Sequence, residues 1–164
     1  MSYRIAAGVV LALAASTAAA QEVQGVRMDR NVSMAMANAI MNAAMEQCIK
    51  DGHHVSVAVL DRAGQVVAFL RGDGTSPHTV ELARRKAYTA RTFRRPSAEW
   101  AKRTDGTALA GQRSLADVIP LGGGLPIDVG DDTIGAVGVS GAPGQEKDEA
   151  CARAGLAKVA DQLK

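Results

Sequence analysis

The sequence predicts an α+β fold in which helices cover a mostly antiparallel sheet. Three observations predict it. Apolar stripes at helical spacing stand near both ends of the chain. Two strand-like runs are joined by the short turn Asp61-Arg62-Ala63-Gly64, which forces an antiparallel pair. A glycine-punctuated strand, Thr133 to Ser140, precedes the last helical segment. The order helix, hairpin, helix, strands, helix is an α+β order.

The chain has 164 residues, a length that suits one domain. Residues 1–20 read as a signal peptide, which leaves residues 21–164 as a single mature domain. Arg4 gives a positive start, the apolar run Ile5 to Ala15 follows, and Ala18-Ala19-Ala20 supplies a small-residue cleavage pattern. The run is short of the ~20 apolar residues of a membrane-crossing helix. The expectation is therefore a periplasmic or secreted protein with no membrane attachment after cleavage. Losing residues 1–20 takes the net charge from +2 to +1. That balance argues against a nucleic-acid partner, since duplex binding shows a strongly basic domain. Aromatic residues make up 3% of the chain, so Val, Ile, Leu, Met and Ala must build the core.

The first helix is expected to run from an Asp29 or Asn31 cap to about Asp51. Its apolar face is Ala37, Ile40, Met41, Ala44, Met45 and Cys48, and Gly52 stops it. The methionines are core rather than a cofactor box. Val55 to Leu60 alternates as a strand, and Gln65 to Arg71 forms its hairpin partner. The loop Gly72 to His78 leads into a helix over about His78 to Phe93, with Val80, Ala83, Ala87 and Ala90 as a narrow small-residue stripe. Pro96 ends it, and Ser97 is placed to cap a short helix over Ala98 to Arg103. Thr104 to Arg113 reads as loop, and Ser114 to Leu121 as either a short helix or a strand. Leu125-Pro126-Ile127 is an edge strand because of its proline. The glycines of Thr133 to Ser140 imply close approach of a neighbouring backbone. A last helix is expected from Gln145 to Leu163, with Ala152, Leu156, Val159, Ala160 and Leu163 on one face.

Chemistry-bearing motifs are few. No G-x-S-x-G nucleophile turn occurs. The histidines, His53, His54 and His78, show no metal-ligand spacing, and no C-x-x-C-H attaches haem covalently. Gly72-Asp73-Gly74 and Gly122-Gly123-Gly124 either present N–H groups to an anion or simply turn the chain. Cys48 and Cys151 form no CxxC pair; in an exported protein, packing of the first helix on the last would allow them to bridge. The clearest anomaly is basic: Arg84, Arg85, Lys86, Arg91, Arg94 and Arg95 lie within twelve residues. Arg84, Arg91 and Arg95 share a face, and Glu81 stands at i,i+4 spacing from Arg85. This is either a solvated face or a site for carboxylates, whose geometry matches guanidinium forks. A ligand is expected beside the start of this helix, between the Gly72–His78 loop and the segment around Ser97.

The run Val57 to Gly64, then Leu70-Arg71-Gly72-Asp73-Gly74, then Ala83 to Ala90, resembles the GlcG/HbpS family of haem-binding proteins. So do Leu121 to Ile127 and Ile134 to Gly141, and the likeness spans residues 30–163. The resemblance implies a five-stranded antiparallel sheet flanked by helices, of profilin-like type, and homo-oligomers from dimers to octamers. It implies haem as the cofactor, and a haem-degrading role is attributed to the family. One type of member ligates haem through a hydroxyl residue, matched here by Ser97. In that version His78 or Ser97 approaches the iron, and Arg84, Arg85 or Lys86 meets a propionate. The alternative is an enzyme or accessory protein acting on a small organic acid in a catabolic pathway, with the same basic residues clamping a carboxylate and His78 moving a proton.

Overall fold

The computed structural model describes residues 25–164, so the expected signal peptide lies outside the described residues. In chain order the elements are α1 (Met34–Lys50), β1 (Ser56–Asp61), β2 (Val66–Arg71), α2 (Thr79–Phe93), α3 (Ser97–Arg103), β3 (Gly124–Val129), β4 (Asp132–Ser140) and α4 (Gln145–Ala157). Single turns of 3-10 helix occur at Ala110–Ser114 and Ala160–Gln162.

All strand pairs are antiparallel, in the order β2-β1-β4-β3. Among the described residues the sheet has four strands, not the five implied by the family resemblance. The stretch left open as helix or strand forms no strand. After the 3-10 turn, residues 115–121 run irregularly, with Pro120 removing a donor and no period-two alternation to define a buried face. Pro126 does lie on an edge strand, β3, as its missing N–H requires.

The two faces of the sheet are built from different materials. Val57, Val59, Val137 and Val139 point to one side and join Ile40, Met41, Ala44, Met45 and Cys48 of α1 and Cys151 and Ala152 of α4 in the main core. Each fully buried Val or Ile there contributes about 1.5–3 kcal/mol of transfer free energy. Leu60 and Ala136 point to the other side and meet Ala87 and Ala90 of α2. Here glycine sets the spacing. Gly124 and Gly138 are register partners on β3 and β4. A Cβ on Gly138 would overlap the Ala83 carbonyl oxygen, and one on Gly124 the Lys86 carbonyl oxygen. The α2 backbone thus rests directly on the sheet, the close approach that the glycines of β4 implied.

Several local details differ from the sequence reading. Ser33 caps α1 by accepting from the Met36 N–H at 3.2 Å. The Asn31 side chain is occupied elsewhere: it accepts from the Val32 and Arg62 amides, tying the lead-in to the β1–β2 turn. Val80 is 38% exposed, because the buried stripe of α2 starts at Thr79 and continues through Ala83, Lys86, Ala87 and Ala90. Pro96, not Ser97, holds the N-cap position of α3. The last helix stops at Ala157, short of Leu163.

Cys48 and Cys151 are both fully buried and form a disulfide between α1 and α4, with Cα atoms 5.5 Å apart. No helix among the described residues is long and apolar enough to cross a membrane.

Candidate functional site

The start of α2 divides two clefts. The Gly72–His78 loop that leads into it is held by its own polar atoms. The Thr75 hydroxyl donates to the Gly72 carbonyl at 2.9 Å, and the Arg71 guanidinium donates to the Thr75 carbonyl at 2.9 Å. The Thr79 hydroxyl donates to the Ser76 carbonyl at 2.8 Å and lies 2.9 Å from the Ser56 hydroxyl of β1. His54 reaches the Asp73 carbonyl from the α1–β1 connection at 2.8 Å. His78 occupies the N-cap position of α2 with no capping bond, and its side chain is exposed.

On one side of this start lies a polar cleft of about 240 Å³. Its walls are the first turns of α2 (His78, Thr79, Leu82) and of α4 (Gln145, Asp148), with Ser140 to Ala142 between them. On the other side is a more apolar groove of about 480 Å³, lined by Val66, Phe69, Pro77, Val80, Glu81 and Arg84. The groove exists because β2 is an edge strand: α2 rests on β1, β4 and β3, so Val66 and Phe69 stay uncovered, at 48% and 36% exposure.

The basic cluster is dispersed rather than pooled. Arg84 pairs with Asp117 at 2.5 Å, and Arg85 donates to Glu81 at 3.1 Å and to the Val118 carbonyl at 2.7 Å. The buried Arg85 Nε has no partner among the described residues. Arg95 pairs with Glu99 at 2.9 Å, beyond the far end of α2. Burial, then the charges of Arg62 and Arg94, lower the pKa of Arg91.

Lys86 has turned inward. Its ammonium donates to Asp148 Oδ2 at 2.6 Å and to the Val139 carbonyl at 3.2 Å, and both side chains of the pair are only 4% exposed. Asp148 Oδ1 accepts from the Ala142 amide at 2.9 Å. Burial raises the Asp148 pKa, against the opposing pull of Lys86 and of those hydrogen bonds. Ser97 is fully buried beneath α2, where its hydroxyl accepts from the Gly124 N–H at 2.9 Å. The structure therefore gathers His78 and Lys86 on one cleft, sets Arg84 on the neighbouring groove, and commits Ser97 to β3.

Sequence reasoning missed Asp148 and Gln145. The signal for Asp148 was available: it lies three, four and seven residues before Cys151, Ala152 and Gly155, an acid alone on the buried face of α4. Gln145, exposed at the first position of α4, offered none.

Residues 32–157 match the family described as haem degrading protein HbpS-like. The chain belongs to this family. Protein GlcG of Escherichia coli K12 is 35% identical over 111 residues, covering 66% of this chain and 81% of its own. A crystal structure of a Streptomyces reticuli HbpS double mutant superposes with a TM-score of 0.78 at 37% identity, over 87% of this chain and 97% of that one. A crystal structure described as a PduOC:heme complex superposes at 0.73 with 27% identity, over 78% and 94% of the two chains. The likeness to the GlcG/HbpS family read from the motifs is thereby established, and the relatives include one solved with haem.

Proposed function

We propose that the protein is exported and binds haem, as a carrier or sensor, and that the macrocycle lies along the groove between β2 and the start of α2. The observation that carries this is the groove itself. It offers an apolar strip of Val66, Phe69, Pro77 and Val80 beside the guanidinium of Arg84, the pairing of surfaces that an apolar ring with carboxylate side arms requires. Membership of the HbpS-like family and the haem-bound relative support the choice of ligand. His78 follows Pro77 in the chain and is exposed, and it lines the neighbouring polar cleft rather than the groove, whereas the Ser97 hydroxyl is buried on Gly124. Exposure therefore favours His78 as the group that meets iron. Haem in this place supplies a redox-active iron; the chain supplies the apolar seat, an imidazole and a cation. The groove is open to solvent along one side, which fits a homo-oligomer in which a second copy closes it. The buried disulfide fits an oxidising compartment outside the cytoplasm.

Haem titration of the purified protein, followed by absorbance, tests this. A Soret shift saturating at stoichiometric haem is expected. His78→Ala should change the ligation spectrum, and Arg84→Ala should weaken affinity with the spectrum retained. A parent protein without a Soret shift overturns the function, and two variants that bind like the parent overturn the site. Intact-mass analysis of the native exported fraction should give a chain beginning near Gln21, and retention of residues 1–20 would reject cleavage.

A further inference from the structure

The cation that the apolar groove offers to a ligand is already paired. Arg84 Nη2 donates to Asp117 Oδ1 at 2.5 Å, and Asp117 belongs to the irregular segment between the 3-10 turn and β3. We propose that Asp117 is an internal competitor for the haem propionate: it holds Arg84 until a propionate arrives, gives it up, and so sets the affinity of the site. The proposal rests on the haem reading of the groove and gives that site a regulating residue.

Three features point to exchange rather than fixed support. The first is charge. One guanidinium balances one carboxylate, and a propionate at Arg84 brings a second carboxylate to the same place, where the two repel. Either Asp117 withdraws or the ligand binds against its field, and both weaken haem binding. The second is exposure. The Arg84 and Asp117 side chains are 34% and 45% exposed, so water screens the pair and it contributes little on its own. Two residues along the helix, Lys86 and Asp148 are 4% exposed, and parting them would strand a buried charge. The third is backbone. Asp117 has a φ of 65°, in the left-handed region that L residues seldom adopt. Among the described residues the other such non-glycine is Arg94, which caps the end of α2, a common place for that conformation. Asp117 ends no helix.

The neighbours of Asp117 allow it to leave without unravelling the segment. The anchors begin one residue later. Val118 is buried, its carbonyl accepts from Arg85 at 2.7 Å, and the Ile119 N–H donates to the Thr89 hydroxyl at 2.9 Å. On the other side Leu115 and Ala116 are exposed, and the Leu115 N–H reaches back to the Gln112 carbonyl at 3.2 Å. Asp117 thus stands between a pinned stretch and an exposed one. Its carboxylate can swing off Arg84 while Val118 stays buried, and release from the left-handed conformation favours that swing.

Haem titrations at constant ionic strength, read at the Soret band, test this. Asn and Gly both suit a left-handed backbone, so Asp117→Asn and Asp117→Gly remove the charge without disturbing the chain. Each variant should bind haem about tenfold more tightly than the parent, the size expected when one like charge is removed from beside a propionate in a partly screened site. The bound spectrum should stay the same, because the group that meets iron is untouched. Haem dimethyl ester, whose side arms carry no charge, should bind the parent and both variants alike. In an Arg84→Ala background, Asp117→Asn should gain less than about threefold, because no cation remains to compete for. Equal haem affinity in the parent and both variants overturns the proposal. So does a gain in Asp117→Gly alone, which marks backbone strain, or an equal gain with the dimethyl ester or without Arg84, which marks a diffuse effect. A parent without a Soret shift overturns the haem reading and this proposal with it, whereas a parent that binds haem and variants that bind no better overturn this proposal alone.

Discussion

Asp148 shows how one residue's environment becomes a pH dependence. Its folded pKa is raised by burial above its ordinary value of about 3.9, despite Lys86 at 2.6 Å. In the window between those two values the folded protein holds a proton that the unfolded chain has released, so this residue adds a term to stability that grows as pH falls and is lost as pH rises. Asp148 therefore resists acid unfolding. Asp148→Asn lacks the term, and its urea midpoint should fall more steeply than the parent's as pH is lowered from neutral through that window. Parallel pH profiles for the two proteins would show that the carboxyl is not shifted upward. The same residue scale explains the missed part of the site: an acid on a helix face is visible in a sequence, but the lysine that neutralises it stands 62 residues earlier.

At the scale of elements, α2 and its seat on the sheet position both clefts. The small stripe Ala83, Ala87 and Ala90 was legible as periodicity, and so were the glycines of β4. Their meaning appears only in combination, where Gly124 and Gly138 stand opposite each other and the backbone of residues 83–87 rests on them. Gly138→Ala places a methyl group against the Ala83 carbonyl oxygen and the Ala87 amide. Because backbone and not a flexible side chain blocks the space, the helix must lift. The expected loss is about 3 kcal/mol or more, at or beyond the upper end of overpacking costs, measured by urea denaturation. Haem binding should weaken too, since His78 and Arg84 ride on the same helix. An unchanged midpoint would show that α2 yields without cost. Val80 makes the complementary point. It fits the stripe by type, but the rotation of the helix is set by where the sheet lies, and the sheet places Val80 in the groove.

For the whole molecule, the disulfide joins the first and last helices across 103 residues of sequence. In the chain-entropy account, so long a loop contributes about 4–5 kcal/mol by constraining the unfolded chain. Cys48→Ala combined with Cys151→Ala should lower unfolding free energy by about 2–5 kcal/mol, the span observed when native bridges are removed. The parent should show the same loss under reductant, once its buried sulfur atoms are reached. Equal stability with and without the bridge would remove it from the list of what holds α1 against α4.

The sequence by itself determined what depends on local period and on residue type. The stripes of α1 and α2, the β1–β2 hairpin through Asp61 to Gly64, the edge position of Pro126 and the α+β order follow from spacing and backbone chemistry within a few residues. The family was also legible, because its short motifs occur in order along one chain. Only the tertiary structure decided the count of four strands, the inward turn of Lys86 onto Asp148, the burial of Ser97 on Gly124 and the division of the start of α2 into a polar cleft and an apolar groove. These depend on which distant segments meet. A lysine in a run of arginines looks like surface until the packing of α4 against β4 brings a carboxylate beneath it, and desolvation then makes the pair a buried unit.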